Sequence, residues 1–190
     1  MKVIGGTWKG VSLKHPEPSL SRPTQERVKK SLFDILRPWL QESRVLDLFA
    51  GSGSLGIEAL SRGAKEVVFV EWNPLCMKLL KENLLKLFGK KETVCIAENA
   101  FKAIGKLARE KKTFDLIFMD PPYNTEVTTK CLRSLIKCDI LTPNAVLVIR
   151  HSREEQLPSE AADLTLWRKE QYGQTFLSFY RRIPNGRSNG

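Results

Sequence analysis

The sequence predicts an α/β fold: a mostly parallel, twisted sheet with helices on both faces, a small β-hairpin and helix before it, and an antiparallel hairpin at its C-terminal end. Three observations carry this. Short, nearly continuous apolar runs alternate with stretches of helical periodicity, the pattern of strands buried on both faces. The first run, Val45-Leu46-Asp47-Leu48, leads into a glycine-rich turn, Gly51-Ser52-Gly53-Ser54-Leu55-Gly56, and then into the helical pattern Ile57-Glu58-Ala59-Leu60. The last two runs, 164–167 and 175–180, are joined by Gln171-Tyr172-Gly173-Gln174, too short for a helix, so they form a hairpin that puts one reversed strand in the sheet.

Taken in order, Val3-Ile4, Gly5-Gly6, Gly10 and Val11-Ser12-Leu13 read as a small hairpin, and Pro16 and Pro18 mark a loop. Pro23-Thr24 opens a helix with Thr24 as N-cap; Val28, Leu32, Ile35 and Leu36 share one face, and Pro38 ends it. A second strand spans 66–71. Asn73-Pro74 then caps a helix carrying Leu79, Leu80, Leu84 and Leu87, which Gly89 breaks. A third strand covers 93–97, and Asn99 precedes a helix with Phe101, Ile104 and Leu107 turned inward. Residues 114–119 form a fourth strand, Val127, Cys131, Leu135 and Ile136 a helical stripe, and 145–149 a fifth strand.

At 190 residues the chain reads as a single domain: an extension over 1–43, a core over 44–182 and a basic, disordered tail over 183–190. No apolar run reaches 18 residues and the N-terminus lacks the apolar core of a secretory signal, so a cytoplasmic protein without a membrane span is expected. The four cysteines show no C-x-x-C pairing and there are only two histidines, so no metal is expected, and the thiols read as reduced and mostly buried. The net charge of +10 points to a polyanionic partner. Residues 1–44 hold nine Lys/Arg against four acids, and Arg181, Arg182 and Arg187 add a basic end. On the N-terminal segment Lys9, Arg22 and Arg27 are the candidate nucleic-acid contacts, with Trp8 suited either to nucleic acid or to packing on the domain.

Two motifs carry chemistry. The glycines from Gly51 to Gly56 satisfy G-x-G-x-x-G, and Glu71 lies twenty residues after Gly51, where a carboxylate takes ribose hydroxyls. Read alone, this says dinucleotide. Asp47 opposes that reading, because a carboxylate beside the loop repels a pyrophosphate and attracts a cation. S-adenosylmethionine offers an ammonium, a sulfonium and a ribosyl adenine without any phosphate, and suits the site better. The second motif is Asp120-Pro121-Pro122-Tyr123, at the carboxyl end of the fourth strand, where ligands of open α/β sheets lie. An exocyclic amine on a base is a poor nucleophile, since its lone pair is delocalised into the ring. Hydrogen bonds from that NH₂ to the Asp120 carboxylate and the Pro121 carbonyl favour a pyramidal nitrogen. Pro121 and Pro122 stiffen the turn. Tyr123 can stack on an extruded base.

D-L-F-A-G-S-G followed by D-P-P-Y resembles the amino-methyltransferase branch of the Rossmann-like class I methyltransferases. Val3-Ile4-Gly5-Gly6 with Lys9-Gly10, Arg22-Pro23-Thr24 with Arg27-Val28, Leu32-Phe33, and Tyr172-Gly173-Gln174-Thr175 are similar to the bacterial 16S ribosomal RNA guanine-N2 methyltransferase family, usually called RsmD. The resemblance runs from Met1 to about Arg182. It implies S-adenosylmethionine as donor and a guanine of small-subunit ribosomal RNA as acceptor, reached within an assembly intermediate; a monomer is expected. It implies that Asp47, Gly51 and Gly53 hold the methionine end, that Phe49, Ala50 and Ser52 also contact the cofactor, and that Glu71 takes the ribose. Asn99, beside Ala100, reads the adenine amino group or caps a helix, or both. Arg22, Thr24 and Phe33 belong to a segment that closes over the cofactor, and Asp120, Pro121, Pro122 and Tyr123 are catalytic. Glu26 and Asp34 depart from the family's usual Asp and Asn. The competing readings are a DNA amino-methyltransferase, which usually needs an added target-recognition region, a nicotinamide oxidoreductase, which Asp47 opposes, and a non-catalytic RNA-binding assembly factor.

Overall fold

The structure, a computed structural model, describes residues 1–16, 22–89, 93–122 and 125–182, without the side chains of 22–25 and 125. Five parallel strands form its centre: β1 (Arg44–Asp47), β2 (Glu66–Val70), β3 (Val94–Ile96), β4 (Phe114–Met119) and β5 (Leu141–Ser152). Three more follow: β6 (Glu160–Ala161), β7 (Leu164–Tyr172) and β8 (Thr175–Arg182). The sheet order is β3-β2-β1-β4-β5-β8-β7-β6. The chain winds outward from β1 through β2 to β3, then returns to place β4 on the other side of β1. The crevice between β1 and β4 is therefore the switch point where such sheets bind ligands.

Side chains alternate across the sheet with the two-residue period of a strand. Val45, Leu116, Phe118, Val146 and Val148 face one core, with α1 (Arg22–Leu36), α2 (Ser54–Ser61) and α3 (Pro74–Phe88) packed on it. Leu46, Ile117, Met119, Leu147 and Ile149 face the other, under α4 (Ala100–Arg109) and α5 (Thr125–Cys138). The N-terminal hairpin is held by a Lys2–Ser12 bridge and by the Val3 N–H to Val11 carbonyl bond of 3.0 Å. It seals the first core with Val3 and Leu13. Trp8 is half-buried and packs edge-on against Phe88 at 4.5 Å.

Several expectations need correction. Helix α1 begins at Arg22, so Thr24 lies inside it and cannot be the N-cap. Strand β5 starts at Leu141, earlier than residue 145, because its pairing with β4 moves from Phe114–Leu141 to Leu116–Val146 across an irregularity that absorbs Pro143. The terminal hairpin turns on Gly173 and Gln174 alone, with Gly173 at a φ of 61°. β8 runs antiparallel to β5, β7 antiparallel to β8, and β6 antiparallel to β7, so two strands are reversed where the sequence implied one. Of the cysteines, only Cys131 is fully buried; Cys76, Cys95 and Cys138 are half-buried. Residues 183–190, the expected tail, lie outside the described residues. No helix among the described residues is long and apolar enough to cross a membrane.

Candidate active site

The glycine turn is pinned between the two strands that flank β1. The Leu48 N–H donates to the Phe118 carbonyl at 3.0 Å and the Ala50 N–H to the Val70 carbonyl at 2.9 Å. Gly51 and Gly53 then take left-handed φ angles of 55° and 90°, which glycine adopts without steric conflict. The two differ in what surrounds them. A Cβ on Gly53 would stand 2.5 Å from Leu80 Cδ1, so the loop is pressed onto α3 there. A Cβ on Gly51 would meet nothing within 4 Å, because Gly51 faces the open cleft.

Three carboxylates ring this turn. Asp47, at the end of β1, is 2% exposed, and its Oδ2 accepts the Gly56 N–H at 2.9 Å. Gly56 is the third residue of α2, so Asp47 already occupies a helix N-terminal amide that a phosphate would use. Burial pushes the Asp47 carboxyl up to about 7, with the charges of Asp120 and Glu71 adding to the rise and the Gly56 bond opposing it. Glu71, one residue past β2, accepts the Gly51 N–H at 2.8 Å and the Asn73 N–H at 2.7 Å. That leaves the carboxylate fixed against the back of the loop. Asp120, one residue past β4, is raised by burial, and Arg150 at the far end of β5 opposes the rise through a 3.0 Å contact of its Nη1 with Asp120 Oδ2.

Asp47, Asp120 and Arg150 border a cleft of about 590 Å³, within the range of small-molecule sites. Its walls are the glycine turn, the carboxyl ends of β4 and β5, helix α1 through Val28, Lys29 and Leu32, and the hairpin turn through Tyr172, Gln174 and Thr175. Tyr172 donates its hydroxyl to Ser31 Oγ of α1, tying the hairpin to the helix. Lys29 is 5% exposed, and its ammonium donates to the Lys2 carbonyl at 2.6 Å and lies 3.2 Å from Glu58 Oε2. Glu58 is fully buried and also accepts the Ile4 N–H at 2.9 Å and Arg62 Nε at 2.8 Å. One ionic knot thus binds the hairpin, α1 and α2 together behind the glycine turn.

Of the residues expected at the site, Asp47, Phe49, Ala50, Gly51, Ser52 and Asp120 line the cleft. Gly53 and Glu71 are not among the lining residues; Gly53 presses the loop onto α3 and Glu71 braces it through the Gly51 N–H. Asn99 is exposed and caps α4, its Oδ1 accepting the Lys102 N–H at 3.0 Å, and Ala100 is the buried first residue of that helix. Phe33 departs from expectation: it is 0% exposed, packed 5.7 Å from Phe118 beneath the cleft, and has no surface to lay on a ligand. Pro121 is buried and Pro122 exposed, while Tyr123 lies outside the described residues. So do the side chains of Arg22 and Thr24, whose backbones are in α1. Lys9 and Arg27 are exposed.

The sequence reading missed Lys29, Glu58 and Arg150. It also missed Asn83, 1% exposed, whose amide donates to the Lys14 and Ser52 carbonyls at 2.9 Å and whose Oδ1 accepts the Lys14 N–H at 2.8 Å. A polar residue on the apolar face of the α3 pattern was the available signal for Asn83.

Comparison with known proteins agrees with this architecture. The family model described as conserved hypothetical protein 95 matches residues 1–181. Bacillus subtilis YlbH is 38% identical over 182 residues, covering 96% of this chain and 99% of its own. The ribosomal RNA small subunit methyltransferase D of Escherichia coli K12 is 31% identical over 189 residues, covering 100% and 93%. The solved structure of the Escherichia coli protein yhhF superposes with a TM-score of 0.87 at 30% identity, over 97% of this chain and 99% of that one. With its fold and residues 1–181 matched, the chain belongs to the conserved hypothetical protein 95 family, that of the RsmD-like methyltransferases.

Proposed function

We propose that this chain transfers a methyl group from S-adenosylmethionine to the exocyclic N2 amine of a guanine in small-subunit ribosomal RNA. The observation that carries the reading is an acidic cleft in a basic protein: Asp47, Glu71 and Asp120 gather at the switch point of a chain whose net charge is +10. Such a cleft favours a small cation over a phosphate, while the body attracts a polyanion. Methyltransferase D relatives are named for ribosomal RNA of the small subunit, and that of Escherichia coli K12 matches this chain nearly end to end.

The donor, when bound, supplies an electrophilic methyl on a sulfonium. The chain's own residues do the rest. Ionised Asp47 holds the ammonium end at the floor of the cleft, and Gly51, lacking a Cβ, lets the ligand approach the backbone. Glu71 serves the ribose hydroxyls beside the loop it braces, with Asn99 next in line for the adenine. Asp120 accepts a hydrogen bond from the guanine amine. Arg150 holds one of its carboxylate oxygens at 3.0 Å, which fixes the rotamer and leaves the other oxygen to the amine. The choice of guanine N2 rests on the family resemblance and on the basic surface around Lys9 and Arg27. Extruding a base from a folded duplex costs a few kcal/mol, which favours a target still exposed in an assembly intermediate. A monomer suffices, since one chain supplies every group named.

The test is transfer of tritiated methyl from the donor to small-subunit RNA, partly assembled particles and duplex DNA, followed by nucleoside digestion. Label in N2-methylguanosine is expected. Label in N6-methyladenosine, or on DNA alone, would overturn the acceptor assignment.

A further inference from the structure

The two arginines that close β8 have opposite fates. Arg182 is consumed by the fold: its guanidinium pairs with Asp163 and Asp139 and donates to the Leu141 carbonyl. Arg181 is exposed and makes no ion pair among the described residues. Its guanidinium carbon instead lies 5.2 Å from the centre of the Trp39 ring and 5.6 Å from that of Trp167. The two indoles are 5.7 Å apart at 45°, and Trp167 is 37% exposed. Two aromatic faces therefore hold a cation in place through their quadrupoles without using its N–H groups. A planar guanidinium with its donors free is suited to a phosphate, and an exposed indole beside it is suited to a base. Arg37, two residues before Trp39, is also exposed.

The position of this cluster relates it to the cleft. Thr175 and Leu177 line the cleft, and Phe179 and Arg181 follow on the same face of β8 at the two-residue period. From Thr175 to Arg181 the strand runs six residues, about 20 Å at 3.3 Å each. That is the reach of a few extended nucleotides. Leu177 and Phe179 between them are buried, so β8 sets the separation of cluster and cleft, and a strand of RNA joining the two would pass over the elements that cover this face.

We infer that Trp39, Trp167 and Arg181 form a docking point for single-stranded ribosomal RNA that runs from the target nucleotide along the C-terminal hairpin. Arg181 takes a backbone phosphate and Trp167 stacks on a base. The inference rests on the proposed function, from which it takes the RNA substrate, and adds a contact in which the C-terminal hairpin joins Trp39 at the end of the N-terminal extension.

The experiment compares wild type with Arg181→Gln, Arg181→Lys and Trp167→Ala. Methyl-transfer kinetics are measured on naked small-subunit RNA and on partly assembled particles over a salt series, and donor affinity is measured in parallel. Arg181→Gln is expected to raise KM for RNA about fivefold and to lower the slope of log KM against log salt by about 0.7, one single-strand phosphate contact. Trp167→Ala is expected to raise KM about tenfold. Arg181→Lys should recover part of the loss, with kcat at saturating RNA and donor affinity unchanged throughout. An unchanged KM and slope in Arg181→Gln, at wild-type thermal stability, overturns the docking point. So does an effect confined to particles, which would assign the cluster to a protein partner. Binding of a fluorescent single-stranded oligoribonucleotide without donor separates the two claims. Weaker binding by Arg181→Gln, with no methyl transfer by wild type, supports the docking point and removes the activity; unchanged binding removes the docking point whatever the activity.

Discussion

Replacing Asp47 by Asn is expected to stabilise the ligand-free protein and to abolish most of its affinity for the methyl donor. The carboxyl is raised from 3.8 to about 7, first by burial. An acid raised by folding keeps its proton in the native state while the unfolded chain has lost it. Ionisation then opposes folding, starting near pH 4 and reaching its full effect above pH 7. At about 1.4 kcal/mol for each pH unit between the two values, the ceiling is about 4 kcal/mol. Asparagine resembles the protonated form, and its Oδ1 can still accept the Gly56 N–H. Urea and thermal unfolding between pH 4.5 and 8, with and without S-adenosylmethionine, measure the effect. The two proteins should differ by only about 1 kcal/mol near pH 4.5, and the variant should melt up to about 10 °C higher at pH 8. Saturating donor should raise the melting temperature of wild type and leave the variant unmoved. In wild type, donor affinity should fall about tenfold per pH unit below pH 7, as a proton must leave Asp47 before the ammonium can bind. A variant that is less stable at pH 8, or that binds donor as wild type does, would refute the reasoning.

Three further outcomes are expected. Asp120→Ala should lower single-turnover transfer at least about a hundredfold with donor affinity intact, and Asp120→Asn should retain part of the rate, since an amide oxygen still accepts one hydrogen bond; full activity in the alanine variant would leave Asp120 without its role. Gly53→Ala should destabilise by about 2–3 kcal/mol in chemical unfolding, because φ is 90° and the new Cβ would stand 2.5 Å from Leu80 Cδ1. Lys29→Met should destabilise by about 3 kcal/mol, the low end for a broken buried pair, because Arg62 and Ile4 still hold Glu58. A change under about 0.5 kcal/mol in that variant would show that the Lys29–Glu58 pair contributes little.

The parts of this molecule that follow one-dimensional rules were legible in the sequence. Strands β1 to β4 are continuous apolar runs, the glycine turn sits between period-two and period-3.6 patterns, and Asn73-Pro74 announces its own cap. The switch point followed from the alternation of elements, and with it the meeting of Asp47 and Asp120. What was not legible depends on contacts distant in sequence. Lys29 and Glu58 read as solvated charges on helix faces until the hairpin at residues 1–13 folds over them, bringing the Lys2 carbonyl and the Ile4 N–H into reach. Arg150 continues an apolar strand, and only the neighbouring β4 supplies Asp120 as its partner. Phe33 looks available on an amphipathic helix, yet α1 lies so close to the sheet that the ring is buried against Phe118. Strand β6 has two residues and no pattern to recognise; it exists because β7 offers it an edge.

The measurement that bears most directly on the central claim is mass spectrometry of nucleosides and oligonucleotides from small-subunit ribosomal RNA of cells with and without this gene. The account predicts that deletion removes N2-methylguanosine from one position, that the intact chain restores it, and that Asp120→Ala does not. Unchanged N2-methylguanosine in the deletion strain, or the loss of a different modified nucleoside, would contradict it.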